Sequence, residues 1–74
     1  MSKTLKSSQS TLAINVRQLR TSVGITQEEL AFKAGIDRTY ASQIERGIAN
    51  PSLGIICQIA DALGCKPEEL LLKI

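Results

Sequence analysis

Residues 24–47 read GITQEELAFKAGIDRTYASQIERG, and the spacing of residue types within them decides the fold. Thr26 with Glu29 three positions later forms a Thr-x-x-Glu capping box, which predicts a helix over 27–34 with Leu30, Ala31 and Ala34 facing inward. Gly35 breaks that helix and Ile36 plugs the turn. Asp37 is placed to cap a second helix over 38–46, which Gly47 ends. Apolar residues at Leu30, Ala34, Ile36, Ala41 and Ile44 lock the two helices together. Ala31 lets them cross closely, and Gly35 supplies the positive φ that the turn needs.

The flanking segments read as helices too. A helix over 10–23 carries Leu12, Val16 and Leu19 on one face, with Arg17 and Arg20 on neighbouring faces, and Gly24 closes it. Residues 1–9 are rich in Ser, Thr and Lys and are expected as a flexible tail preceding a domain over 10–74. After a loop at 48–51, Ser52 can cap a helix over 53–63, with Leu53, Ile56, Ile59, Ala60 and Leu63 facing the core and Ile55 outside that face. Gly64 stops it. Pro67 tolerates a first-turn position and Glu68 and Glu69 suit a helix N-terminus, so a last short helix is expected over 67–72. The expectation is an all-α, five-helix domain.

Composition narrows the function. A chain of 74 residues buries only about 60% of its unfolded surface, so a partner subunit would help it. Phe32 and Tyr40 are the only aromatic residues, leaving the core to Leu, Ile, Val and Ala. With no histidine, no Cys-x-x-Cys spacing at Cys57 and Cys65, no Gly-rich phosphate loop and no evident carboxylate pair, neither metal, cofactor nor enzyme chemistry is expected. The cysteines read as reduced, small apolar residues. No signal peptide opens the chain, and no apolar run approaches the ~20 residues of a membrane span, so a cytoplasmic protein is expected. The net charge of +2 divides as +3 over residues 1–50 and −1 over 51–74, and a polyanion would therefore meet the first part.

From Ala13 to Leu72 the chain resembles the Cro/repressor-type, XRE-like helix-turn-helix family. The resemblance is carried by Arg17 to Arg20, the run from Gly24 to Ala31, Gly35-Ile36, the run from Ser42 to Gly47, Asn50-Pro51-Ser52-Leu53 and the run from Ile59 to Gly64. Within it, Asp37-Arg38-Thr39-Tyr40, Ser42, Ile44-Glu45-Arg46 and Asn50 look most like the controller proteins of restriction-modification systems. Phage repressors and antitoxins share most of these residues. The resemblance implies a lambda-repressor-like fold whose helices 2 and 3 form the helix-turn-helix. It implies a homodimer on a pseudo-palindromic operator in double-stranded DNA, with no small-molecule ligand. A controller protein would bind its own promoter region and time the endonuclease gene, activating at moderate occupancy and repressing at high.

Chemistry then assigns expected roles. Arg38, Thr39, Ser42 and Gln43 lie where the second helix of the motif reaches base edges: Arg38 can pair bidentately with guanine, Gln43 can read adenine, and the Thr39 methyl can touch thymine. Gln27, Tyr40, Arg46 and Asn50 are expected at phosphates, although Tyr40 also fits a bracing role in the core. By resemblance, Glu45 pairs with Arg20 as a structural ion pair. The basic tail also suits a minor-groove arm. Ala41 stands where the family more often has a larger aliphatic residue, and Ile55 where it commonly has a polar one. Ile55, Leu72 and Ile74 remain apolar once the core faces are assigned, and are expected at a two-fold interface. The alternative function is a phage-type repressor, or an antitoxin-like helical module that binds protein partners.

Overall fold

The computed structural model describes residues 2–73, and every regular element among them is helical. Four α-helices follow in order, α1 (Lys3–Val23), α2 (Gln27–Ala34), α3 (Arg38–Glu45) and α4 (Leu53–Leu63), and then a 3-10 helix over Pro67–Leu71. The last element was expected as a short helix over 67–72. With Pro67 at its start and only five residues, it closes in the tighter 3-10 form.

The largest departure from the sequence reading is at the beginning. Residues 3–9, expected as a tail, are the first turns of α1. Two hydrogen bonds anchor the ends of this stretch. The Ser2 hydroxyl caps the helix by accepting from the Leu5 N–H at 2.9 Å, and the buried Gln9 side chain donates from Nε2 to the Ala49 carbonyl at 2.7 Å.

The motif forms as its spacing requires. Thr26 and Glu29 complete the capping box of α2, each side chain taking the other's backbone N–H at 3.0 and 2.9 Å. Gly35 adopts φ 70°, a left-handed value that a side chain would strain. Asp37 sits at the N-cap of α3 but makes no side-chain cap hydrogen bond, and α3 ends one residue earlier than expected, with Arg46 as its C-cap.

α2 lies against both α3 and α4, while α1 packs on α3 and on the 3-10 helix. Val16, Leu30, Ile44, Ile59 and Leu70, from five different elements, meet in the centre, each no more than 2% exposed. Two positions of α4 exchange their expected places. Leu53 is 71% exposed, whereas Ile55 is half-buried against the core. The buried stripe runs through Ile56, Ile59, Ala60 and Leu63, and Ile55, four residues before Ile59, lies on its edge. Leu53 opens the helix a turn beyond that stripe.

Candidate nucleic-acid interface

α3 is short and divided. Ala41, Ile44 and Glu45 are buried, which fixes the helix against α1 and α2. Its other side presents Arg38 and Thr39 to solvent, with Ser42 and Gln43 half-buried beside them. Gln27, at the start of α2, shares a shallow depression with Arg38, Thr39 and Ser42. The first-turn N–H groups of both helices lie outside their intrahelical ladders, so donors converge on this end of the motif.

What holds the two helices is a buried carboxylate. Glu45 is 3% exposed. Its Oε2 accepts from Arg20 Nε at 2.6 Å, and its Oε1 accepts from Arg20 Nη2 at 3.1 Å and from Gln27 Nε2 at 3.0 Å. Arg20 also donates from Nη1 to the Ile25 carbonyl at 2.8 Å, and Arg17 Nη2 donates to the backbone carbonyl of Glu45 at 2.8 Å. The Glu45 side-chain hydrogen bond pushes the Arg20 guanidinium above its ordinary pKa, against the opposing effect of its burial, so this arginine keeps its charge. α1, the turn before α2, α2 itself and α3 are thus tied at one point. Arg38, Thr39, Ser42 and Gln43 take no part in these bonds, and Arg38, Thr39 and Ser42 line the depression beside Gln27.

The other predicted residues fall in three groups. Arg46 and Asn50 are exposed around the loop that follows α3. That loop is held from behind, because Gly47, at φ 76°, lies so close to α1 that an added Cβ would meet the Ala13 Cβ at 3.7 Å. Tyr40, expected at a phosphate or bracing the core, is half-buried and packs against the core. Among the interface residues, Leu72 is 60% exposed, Ile55 rests partly on its own core, and Ile74 lies outside the described residues. Cys57 and Cys65 are free and half-buried, and burial raises the Cys65 thiol above its ordinary pKa, with Glu69 adding to the effect.

Two polar residues escaped the sequence reading. Gln9 and Asn15 are buried and bonded to distant backbone, Asn15 donating from Nδ2 to the carbonyls of Leu70 and Leu72 at 2.9 and 2.8 Å. Gln9 stands three residues before Leu12, so continuing the apolar face of α1 one turn backward would have reached it.

A short helix locked by a neighbour, with its polar side free and donors gathered at its N-terminal end, defines a helix-turn-helix DNA-binding protein. Residues 16–70 match the helix-turn-helix family HTH_3, and the chain belongs to that family. It is 51% identical over 57 residues to the control protein C.BamHI of Bacillus amyloliquefaciens, covering 76% of this chain and 70% of that one. Among solved structures it resembles the restriction-modification controller protein C.AhdI of Aeromonas hydrophila, with TM-score 0.81 and 44% identity over 84% of this chain and 94% of that one. It also resembles the hypothetical transcription factor NHTF from Neisseria, with TM-score 0.85 and 45% identity over 88% and 75%. The chain is a transcriptional regulator of the helix-turn-helix type, close to restriction-modification controller proteins, and these relatives are regulators, not enzymes.

Proposed function

We propose that the protein binds a pseudo-palindromic operator as a homodimer and acts as the controller of a restriction-modification system, timing the endonuclease gene from its own promoter region. The observation that carries this reading is the free polar side of α3, where Arg38 and Thr39 project beside Ser42 and Gln27 while Glu45 fastens the opposite side. Arg38, Thr39, Ser42 and Gln43 read base edges. Gln27, Arg46 and Asn50 hold phosphates, and Tyr40 reaches the DNA backbone from its braced position.

Size supports the dimer. The described residues extend 31 × 23 × 19 Å, and successive major grooves on one face of DNA are about 34 Å apart. One copy therefore fits within one groove spacing, and two copies related by a two-fold axis can offer one α3 to each half-site. Leu72 and the exposed part of Ile55 supply apolar surface for that interface, and Ile74 is proposed to extend it. No helix among the described residues is long and apolar enough to cross a membrane. The proposal places the protein at its operator in the cytoplasm, acting without a cofactor.

The experiment is selection of bound sequences from a random DNA pool, with the winning site retested across a salt series and against Arg38→Ala. A palindrome with half-sites about one helical turn apart, bound more weakly as salt rises, is the expected result. Weak, sequence-blind binding alone would overturn the reading and favour a protein partner.

A further inference from the structure

We propose that Glu45 is a positioning residue for DNA recognition, acting through Gln27 as well as through the ion pair. The inference rests on the DNA-binding reading above. Its basis is the hydrogen bond from Gln27 Nε2 to Glu45 Oε1 at 3.0 Å. A carboxylate accepts hydrogen bonds and cannot donate one, so it dictates which end of the Gln27 amide turns inward. Nε2 is committed to Glu45. The carbonyl oxygen and the second N–H are left for the depression that Gln27 lines with Arg38, Thr39 and Ser42.

Glu45 can impose this because it is itself immobile. Two hydrogen bonds from Arg20 fix both its oxygens, and its own backbone carbonyl is held by Arg17. A free glutamine on the first turn of a helix samples several rotamers, and those must be given up on binding. Here the ordering is done before DNA arrives. The amide meets DNA with one donor and one acceptor in fixed places, so Gln27 is a directional contact and not only a phosphate donor. Its outward acceptor suits a donor such as Arg38 in the same depression, which would align the base-reading guanidinium.

The test has two arms. In the free protein, NMR of side-chain amides should show one Gln27 Nε2 proton shifted downfield of the ordinary glutamine range, with slowed solvent exchange and restricted side-chain motion, a signature lost in Glu45→Gln. In the second arm, operator affinity is measured for wild type, Glu45→Gln, Gln27→Ala and the double variant. Glu45→Gln should weaken binding on the order of three- to tenfold when Gln27 is present and by clearly less in the Gln27→Ala background, where only the ion-pair contribution is left to lose. Equal weakening in both backgrounds means that Glu45 acts only on the fold and overturns the proposal, while the DNA-binding reading stands. If Glu45→Gln does not fold, the wild-type spectrum decides alone: a Gln27 amide with ordinary glutamine shifts and free side-chain motion overturns it. A wild-type chain that selects no DNA site brings down both readings together.

Discussion

The Asn15 side chain, midway along α1, donates to the carbonyl of Leu70 at 2.9 Å across 55 residues of sequence, and to that of Leu72 at 2.8 Å. One amide thereby holds the 3-10 helix, whose Leu70 is wholly buried in the core, against the first helix. Asn15→Leu leaves these carbonyls without their donor and should cost about 1–3 kcal/mol, read as a lower unfolding midpoint in urea. Proteolysis should then attack the segment after Cys65 first. An unchanged midpoint would show that water replaces the amide at no cost.

Removing one member of the Arg20–Glu45 pair is expected to act on the fold. Glu45→Ala strands a largely buried guanidinium, whose side chain is only 17% exposed, and should destabilise by about 3–5 kcal/mol. In a domain of this size that is a large share of total stability. Thermal unfolding followed by circular dichroism checks it, with Arg38→Ala as the contrasting variant that melts like wild type.

Arg38 and Arg46 should separate base reading from phosphate holding. Arg38→Ala is expected to cost about 1–3 kcal/mol on the best operator and to relax the preference at one base pair in each half-site. Arg46→Ala should weaken all sequences alike and make the slope of log affinity against log salt shallower by about one for each phosphate that Arg46 neutralises. Affinities on matched and mutated operators at several salt concentrations distinguish the two patterns.

Acid should loosen α2. The Thr26 backbone N–H, and after it the Thr26 hydroxyl, hold the Glu29 carboxyl below its ordinary value of 4.5. A depressed folded-state value means that the unfolded chain binds this proton more readily, so the stabilisation is present above about pH 4.5 and is lost as pH falls further. Glu29→Gln, which can still accept the Thr26 N–H, should show a shallower loss of stability below that pH. An identical pH profile for the two proteins would remove Glu29 from the acid response.

The solvent side and the core should respond oppositely to truncation of large side chains. Phe32 is 88% exposed, so Phe32→Ala is expected to change stability by less than about 0.5 kcal/mol. Leu70→Ala, at a site with no exposure, should cost about 2–5 kcal/mol. Paired urea titrations give both values.

The segment 24–47 was legible because its signals are local. A capping box, a glycine forced to positive φ and apolar residues at helical spacing act within a few positions of one another, and α2 and α3 lie where they indicate. Gln9 and Asn15 were hidden for the opposite reason. Their partners, Ala49, Leu70 and Leu72, are 40 or more residues away, and nothing in a polar side chain shows that a distant carbonyl awaits it. The same limit applies to Gln27, whose outward role was read from its place in the motif while its bond to Glu45 depends on how two helices cross. Leu53 was assigned to the core because periodicity continues past the end of the surface it packs on.

The bond from Gln9 to the Ala49 carbonyl bears on how this protein can be redesigned. The turn that carries Asn50 is moored to the early part of the first helix, outside the stretch that spells the motif. Transplanting residues 24–47 into another framework would move the reading head and leave its mooring behind. Retargeting to new operators is therefore better pursued by exchanging side chains along α3, with α1 retained as the keel.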